Sequence, residues 1–187
     1  MVNKVRTCVF ISGDGTNLIS LLKSSRDYKF PIKINLVISN NKDAKGLYEA
    51  KKYSIPFKII PHKNKKRFER ESLLIIKEKK INFICLAGFL KILSNDFIKK
   101  FGNKIVNIHP SLLPRFKGLN THKRVLKNRE RHSGCTVHFV SPDLDSGKII
   151  MQKKILIKKN ETESSLQKKI LNLEHKIYPL AIVAIFK

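Results

Sequence analysis

Short apolar runs alternate with amphipathic stretches from the start of the chain to about residue 120, and this alternation restricts the fold more than any other feature. Strands are predicted at residues 5–12, 32–39, 57–60, 83–87 and from 105, with helices between them at 16–25, 43–53, 64–80 and 94–101. Strands separated by helices need right-handed crossovers. The pattern therefore predicts an α/β fold with a doubly wound, mostly parallel sheet and helices on both faces.

The pattern changes after Thr121. Residues 135–140 and 148–157 are predicted strands joined by SPDLDSG, a segment short enough for an antiparallel hairpin. A length of 187 residues suits one domain of ordinary size, so residues 1–187 are predicted to form a single domain.

A last helix is predicted from about Asn160. Asn160 and Glu163 have the spacing of a capping box, in which two side chains satisfy the free N–H groups of a helix start. The helix is predicted to extend to about Tyr178, and Pro179 to kink or end it, because proline cannot donate the next hydrogen bond.

The composition predicts a globular protein of the cytoplasm. Hydrophobic residues make up 42% of the chain, no run of about eighteen apolar residues occurs, and the N-terminal sequence becomes polar too early for a signal peptide. We therefore expect no membrane partner. Cys8, Cys85 and Cys135 lie in apolar runs without a CxxC pair, which favours buried reduced thiols over disulfides or zinc ligands.

The formal net charge of +25 alone would suggest a nucleic-acid or anionic-surface partner. Only eight of the 39 cationic residues are arginines, however, and the lysines are spread along every predicted helix. We interpret this distribution as a compositional bias toward lysine and expect no specific nucleic-acid partner. The charge can still attract polyanionic ligands.

A glycine-rich turn, SGDGTNL at residues 12–18, follows the first predicted strand where a helix begins. Such a turn offers backbone N–H groups to an anion at the positive end of the helix dipole. Leu18 replaces the third glycine of a dinucleotide fingerprint, and the lysine of a Walker loop is missing. Two interpretations stay open: a monophosphate site or a plain turn.

The segment IVNIHPSLLPRFKG, residues 105–118, contains the best candidates for chemistry. Asn107 and His109 are two residues apart, so on a strand their side chains point to the same face. Pro110 is expected to end the strand and leave His109 at its exit, where open parallel sheets bind ligands. A histidine there can also be an ordinary surface or core residue.

Two further segments can contribute to a site. Asp143 and Asp145 lie in the hairpin segment, where an acid can orient or charge a histidine, although loop acids are often only solvated. Residues 86–93, LAGFLKIL, can line a flat apolar pocket or belong to the core. No metal is expected, because His109, His122, His132, His138 and Cys135 show neither HExxH spacing nor a thiolate pair.

Together, five segments resemble the glycinamide ribonucleotide formyltransferases: SGDGTNL, LAGFLKIL, NIHPSLLPRFKG, HSGCTVHFV with SPDLDSGKII, and LEHKIYP. The segment with Asn107 and His109 is shared by the wider group of folate-dependent formyltransferases. Pro110, where other members usually have glycine, and the SGxG[ST]N loop indicate the ribonucleotide branch. The resemblance implies a Rossmann-like formyltransferase fold and, among activities, favours the transferase over a formyl-folate hydrolase or a basic nucleic-acid-binding module.

The resemblance implies transfer of the formyl group of 10-formyltetrahydrofolate, a co-substrate, to the amine of glycinamide ribonucleotide in de novo purine biosynthesis, without a metal. The amine attacks directly and a tetrahedral intermediate forms. By resemblance, Asn107 donates to the developing oxyanion, His109 hydrogen-bonds the formyl oxygen and helps to move the proton, and Asp145 holds and charges the imidazole. A monomer or weak homodimer is expected.

The same resemblance implies the substrate contacts. Gly15, Thr16 and Asn17 are expected to bind the phosphate, Glu174 the ribose end, and Lys65, Leu90, Lys91, Ile92, Leu93 and Asn107 the folate. Lys65 and Lys91 stand where the family commonly has arginine, and lysine lacks the planar two-pronged contact of a guanidinium. Leu171 replaces a polar residue expected near the phosphate.

Overall fold

A computed structural model describes residues 4–187 and places seven strands in one sheet. The strands are β1 (Val5–Ile11), β2 (Ile32–Ser39), β3 (Phe57–Ile59), β4 (Phe83–Leu86), β5 (Ile105–His109), β6 (His132–Phe139) and β7 (Ile149–Leu156). Their order is β3-β2-β1-β4-β5-β6-β7, with parallel pairing up to β5 and antiparallel pairing of β6 and β7. The predicted α/β fold with a C-terminal antiparallel hairpin is confirmed.

Six helices cover the two faces of the sheet. They are α1 (Thr16–Ser25), α2 (Gly46–Lys52), α3 (Lys65–Glu78), α4 (Asn95–Phe101), α5 (Thr121–Lys127) and α6 (Glu163–Ile185). Buried side chains of α1, α2, α5 and α6 pack on one face, and those of α3 and α4 on the other. Within residues 4–187, none of these helices combines the length and apolarity that crossing a membrane requires.

The strand β1 shows why the predicted strands are continuously apolar. Cys8 and Phe10 belong to the core beside α3 and α4, whereas Val9 and Ile11 belong to the core beside α1 and α6. Successive strand residues point to opposite faces, so a strand covered on both sides must be apolar throughout. Cys8, Cys85 and Cys135 are buried and unbonded, which confirms the prediction of buried thiols.

The start of α6 differs from the prediction. Its capping box is formed by Thr162 and Ser165, not by Asn160 and Glu163: the Thr162 side chain accepts from the backbone N–H of Ser165, and the Ser165 hydroxyl accepts from the N–H of Thr162. Both residue pairs have the same spacing, so the sequence pattern did not distinguish them.

The predicted end of the last helix near Tyr178 is also wrong, because α6 continues through Pro179 to Ile185. Tyr178, Ala181 and Ile182 on either side of the proline are fully buried. The Tyr178 hydroxyl donates to the backbone oxygens of Leu86, at 3.0 Å, and of Val106, at 3.3 Å. This packing stabilises the helix where the proline removes one backbone hydrogen bond.

Candidate active site

The carboxyl ends of β1, β4 and β5 lie at one edge of the sheet, because these three strands run parallel. The segments that follow them meet there. The N–H of Ser12 donates to the carbonyl of Gly88 at 3.1 Å, and the N–H of Leu90 donates to the Ser12 hydroxyl at 2.9 Å. The glycine-rich turn after β1 is thus joined directly to the segment after β4.

His109 is the last residue of β5 and is buried at this edge. Its Nδ1 lies 3.3 Å from Oδ2 of Asp145, and its Nε2 lies 2.9 Å from the backbone oxygen of Phe116. Both partners are hydrogen-bond acceptors. A neutral imidazole carries a hydrogen on one nitrogen only, so donating to both acceptors requires a proton on each nitrogen.

Asp145 reaches His109 because the segment between β6 and β7 doubles back over the sheet. β6 leaves the sheet with Phe139 opposite Val106, near the start of β5, whereas Asp145 contacts the end of β5. Asp145 has a φ of 47°, in the left-handed region, and its Oδ2 also accepts from the N–H of Gly118 at 2.8 Å. The loop after β5 therefore helps to hold the acid.

Asn107 lies opposite His138 in the pairing of β5 with β6. The His138 Nδ1 is 2.9 Å from the backbone oxygen of Phe139 and donates to it, which leaves a lone pair on Nε2. That lone pair accepts from Nδ2 of Asn107 at 3.3 Å. Burial lowers the pKa of His138, with the nearby His109 adding to the effect, so the ring is neutral at neutral pH.

His138 therefore orients the Asn107 amide and leaves its second Nδ2 hydrogen for another partner. The 3.7 Å separation between His138 Nε2 and Oδ1 of Asp145 is not an ion pair in this neutral form. From the sequence alone, His138 stands out only as a candidate metal ligand. The pairing register of β5 with β6 could have identified His138 as a site residue. It places His138 directly opposite Asn107, where the two side chains are in contact.

Some of the predicted folate contacts lie together. A cleft of about 90 Å³ is lined by Lys91, Ile92 and Leu93 together with Asn107, His138 and Asp145. Sites for drug-sized ligands typically have volumes of about 300–1,000 Å³, so a folate would have to widen this cleft.

Lys65 and Leu90 do not line the cleft. Lys65 is the first residue of α3. The Leu90 side chain is 66% exposed, and the Leu90 backbone N–H is bound to Ser12.

The glycine-rich turn has the geometry of an anion site. Gly15 is the N-cap of α1 with a φ of 72° and has no side chain to cap the helix. The first helical hydrogen bond runs from the N–H of Ile19 to the carbonyl of Gly15 at 2.9 Å, so the N–H groups of the preceding helical residues remain available for an anion. Thr16 is the first of these.

The side chain of Asn17 has a different partner. It is buried, and its Nδ2 donates to Oε2 of Glu174, in α6, at 2.8 Å. Glu174 thus holds one hydrogen of the Asn17 amide, which leaves the backbone N–H and the second Nδ2 hydrogen as the remaining donors of this residue. Burial raises the pKa of Glu174 to about 7, although the hydrogen bond from Asn17 opposes the shift.

Known proteins resemble this chain over most of its length. A family model described as formyl transferase matches residues 5–182. Phosphoribosylglycinamide formyltransferase of Haemophilus influenzae is 38% identical over 180 residues, which are 95% of this chain and 85% of that protein. The trifunctional purine biosynthetic protein adenosine-3 of Homo sapiens is 42% identical over 182 residues. The chain covers only 18% of the length of that relative.

Solved structures are similar over nearly the whole chain. The crystal structure of phosphoribosylglycinamide formyltransferase from Anaplasma phagocytophilum has a TM-score of 0.93 at 38% identity and covers 99% of this chain and 88% of that one. The corresponding structure from Campylobacter jejuni has a TM-score of 0.93 at 37% identity, with full coverage of both chains.

Proposed function

This chain belongs to the formyl transferase family, on its phosphoribosylglycinamide formyltransferase branch, and we propose that it transfers the formyl group of 10-formyltetrahydrofolate to the amine of glycinamide ribonucleotide. The observation that carries the proposal is that Asn107 and Asp145 line one cleft, that Asp145 contacts His109, and that the segment after β4, which also lines the cleft, is bound to the glycine-rich turn before α1. Relatives that bear this activity in their names support it.

The reaction begins when the acceptor amine attacks the formyl carbon. The C–N bond that forms places negative charge on the formyl oxygen and positive charge on the attacking nitrogen. Asn107 donates its free Nδ2 hydrogen to the oxyanion, since its other hydrogen is held by His138. A donor fixed before the reaction stabilises the developing charge without having to reorient.

His109 supplies the second donor and a route for the proton. In the proposed reaction, its Nε2–H changes partner from the Phe116 carbonyl to the formyl oxygen. The attacking nitrogen must lose a proton and the leaving folate nitrogen must gain one, so the imidazole relays a proton with no net gain or loss. Asp145 keeps the ring oriented and favours its charged form.

In this proposal the two substrates occupy different parts of the site. We assign the phosphate of the ribonucleotide to the backbone N–H groups of Gly15, Thr16 and Asn17, and its ribose end to Glu174. The pterin is assigned to the cleft lined by Lys91–Leu93 and by Asn107. Lys65 and Leu90 contribute where the folate extends beyond the cleft.

The test is an assay of tetrahydrofolate release from 10-formyltetrahydrofolate by the purified protein, with and without glycinamide ribonucleotide. Release should require the acceptor. The dephosphorylated acceptor, glycinamide riboside, is the matched control and should be used much less efficiently because it cannot occupy the helix start. Equal release with and without acceptor would instead identify a hydrolase.

A further inference from the structure

A second cavity, of about 450 Å³, adjoins the proposed active site through Phe116, whose carbonyl contacts His109. It is lined by the loop after β5, α5 and the adjoining strands β6 and β7, and Leu112, Phe116 and Val125 form its apolar wall. It shares no lining residue with the cleft that contains Asn107. Its volume lies within the range of about 300–1,000 Å³ that is typical of small-molecule sites.

The other wall of the cavity is basic in a way that the lysine bias does not explain. The chain has only eight arginines, and three of them, Arg115, Arg129 and Arg131, line this cavity together with Lys154. Arg115 is paired with Glu130, so that acid is neutralised. Among residues 4–187, the side chains of Arg129, Arg131 and Lys154 form no salt bridge.

A buried hydroxyl at the cavity gives an independent indication of a ligand. Ser133 lines the cavity and is 1% exposed, yet its Oγ has no hydrogen-bond partner within residues 4–187. A buried polar group without a partner is unfavourable. An oxygen of an anion in the cavity would accept from this hydroxyl.

We propose that this cavity is a second binding site, for a small organic phosphate. The guanidinium groups of Arg129 and Arg131 bind the phosphate, since their planar forks match its oxygens, and the Ser133 hydroxyl donates to one of those oxygens. Lys154 adds a positive charge. The volume and the apolar wall accommodate more than a phosphate, which indicates that the ligand carries an apolar or ring portion.

The probe is phenyl phosphate, titrated into ¹⁵N-labelled protein while backbone amide shifts are followed. Amides of residues 129–133 should shift on binding and so separate this site from the acceptor loop at residues 13–17. Inorganic phosphate should bind at 129–133 more weakly, and phenol should leave those amides unchanged. Absence of shifts at 129–133 at millimolar phenyl phosphate, or equal affinity for inorganic phosphate, would overturn the proposal.

Variants test the residues. Arg129→Gln/Arg131→Gln should weaken phenyl phosphate binding at 129–133 by about tenfold or more and leave the shifts at 13–17 unchanged. Lys99→Gln/Lys100→Gln removes the same charge from exposed positions of α4 and should leave affinity at the cavity unchanged. Ser133→Ala should weaken binding by about threefold or more. If the arginine and lysine variants lost the same affinity for phenyl phosphate, only the net charge would matter for binding. That result would contradict a specific site in this cavity.

Discussion

At the scale of single residues, Asn107, His109 and Asp145 should act as a unit. Changing any one to alanine should lower turnover by roughly 100- to 10,000-fold and weaken substrate binding far less, because each group acts mainly on the transition state. His109→Ala/Asp145→Ala should be only slightly worse than the poorer single variant, since the acid acts through the imidazole. Steady-state kinetics measures both effects.

Asp143→Ala is the matched control for these variants. Asp143 lies in the same segment as Asp145, but it is exposed, and its change should leave turnover nearly unchanged. An Asp145→Asn variant that folds normally and keeps near-normal turnover across neutral pH would show that the three residues do not work as assigned.

Glu174 should make stability depend on pH. Burial raises its pKa from the ordinary 4.5 to about 7, so the folded chain holds a proton that the unfolded chain releases between these values. Its contribution to stability is therefore complete below pH 4.5 and is lost as pH rises through about 7. We therefore compare the free energy of unfolding of Glu174→Gln with that of wild type at two pH values. The difference, variant minus wild type, should be more positive at pH 8 than at pH 5, by up to about 3 kcal/mol.

Urea unfolding of both proteins at the two pH values measures this difference. Glu78→Gln, which removes a carboxylate from an exposed position of α3, is the matched control. The same effect of Glu174→Gln at pH 5 and pH 8 would contradict a raised pKa.

The sequence predicted part of the candidate site at this scale. The spacing of Asn107 and His109 on a predicted strand placed both side chains on one face of β5, as the structure shows. The spacing could not predict the contact between His109 and Asp145, because that contact depends on how the segment between β6 and β7 folds back across the sheet. Nor could it predict the Phe116 carbonyl on His109, because that contact is made by the backbone.

At the scale of elements, the turn between β1 and α1 should be sensitive at one glycine and tolerant at another. A side chain at Gly15 would need a left-handed backbone and would collide with the backbone of Gly46 at the start of α2. Gly15→Val should therefore lower the melting temperature and raise the KM for the ribonucleotide much more than the KM for folate. Kinetics with each substrate varied in turn gives the comparison.

Gly13→Ala is the control in the same turn, because a Cβ at Gly13 meets no atom within 4 Å. It should fold normally and melt close to wild type, which separates the collision at Gly15 from the general effect of a side chain in the turn. Equal changes in the two KM values of a folded Gly15→Val protein would contradict the assignment of this turn to the phosphate.

The elements that the sequence predicted best have a long apolar pattern or a capping side chain. The strand β2 and the helix α1 have the predicted bounds, and Asn64 and Ser94 cap α3 and α4. The short helix α5 was not predicted, because its seven residues are mostly polar and its N-cap, Asn120, makes no capping hydrogen bond through its side chain. Tertiary packing, not a local signal, determines such an element.

At the scale of the whole molecule, the charge raises the question of nucleic-acid binding. The net charge of +25 comes mainly from lysines, and lysines occur in all six helices and in several strands. A charge distributed in this way attracts any polyanion without recognising a sequence, since recognition needs contacts with base edges. The molecule should therefore behave as a diffuse polycation toward DNA.

Binding to random duplex DNA should accordingly be weak at physiological salt, with dissociation constants of roughly 10⁻⁴–10⁻⁶ M, and should fall steeply as salt rises. Fluorescence anisotropy with labelled duplexes across a salt series measures this dependence, and a duplex of different sequence is the control. Added duplex should not change the rate of formyl transfer at physiological salt, because the proposed site lies in a cleft of about 90 Å³ that a duplex cannot enter. If the protein instead bound one duplex sequence tightly and selectively at physiological salt, nucleic acid would be a specific partner. The lysines would then have a role in binding and would not be only a compositional bias.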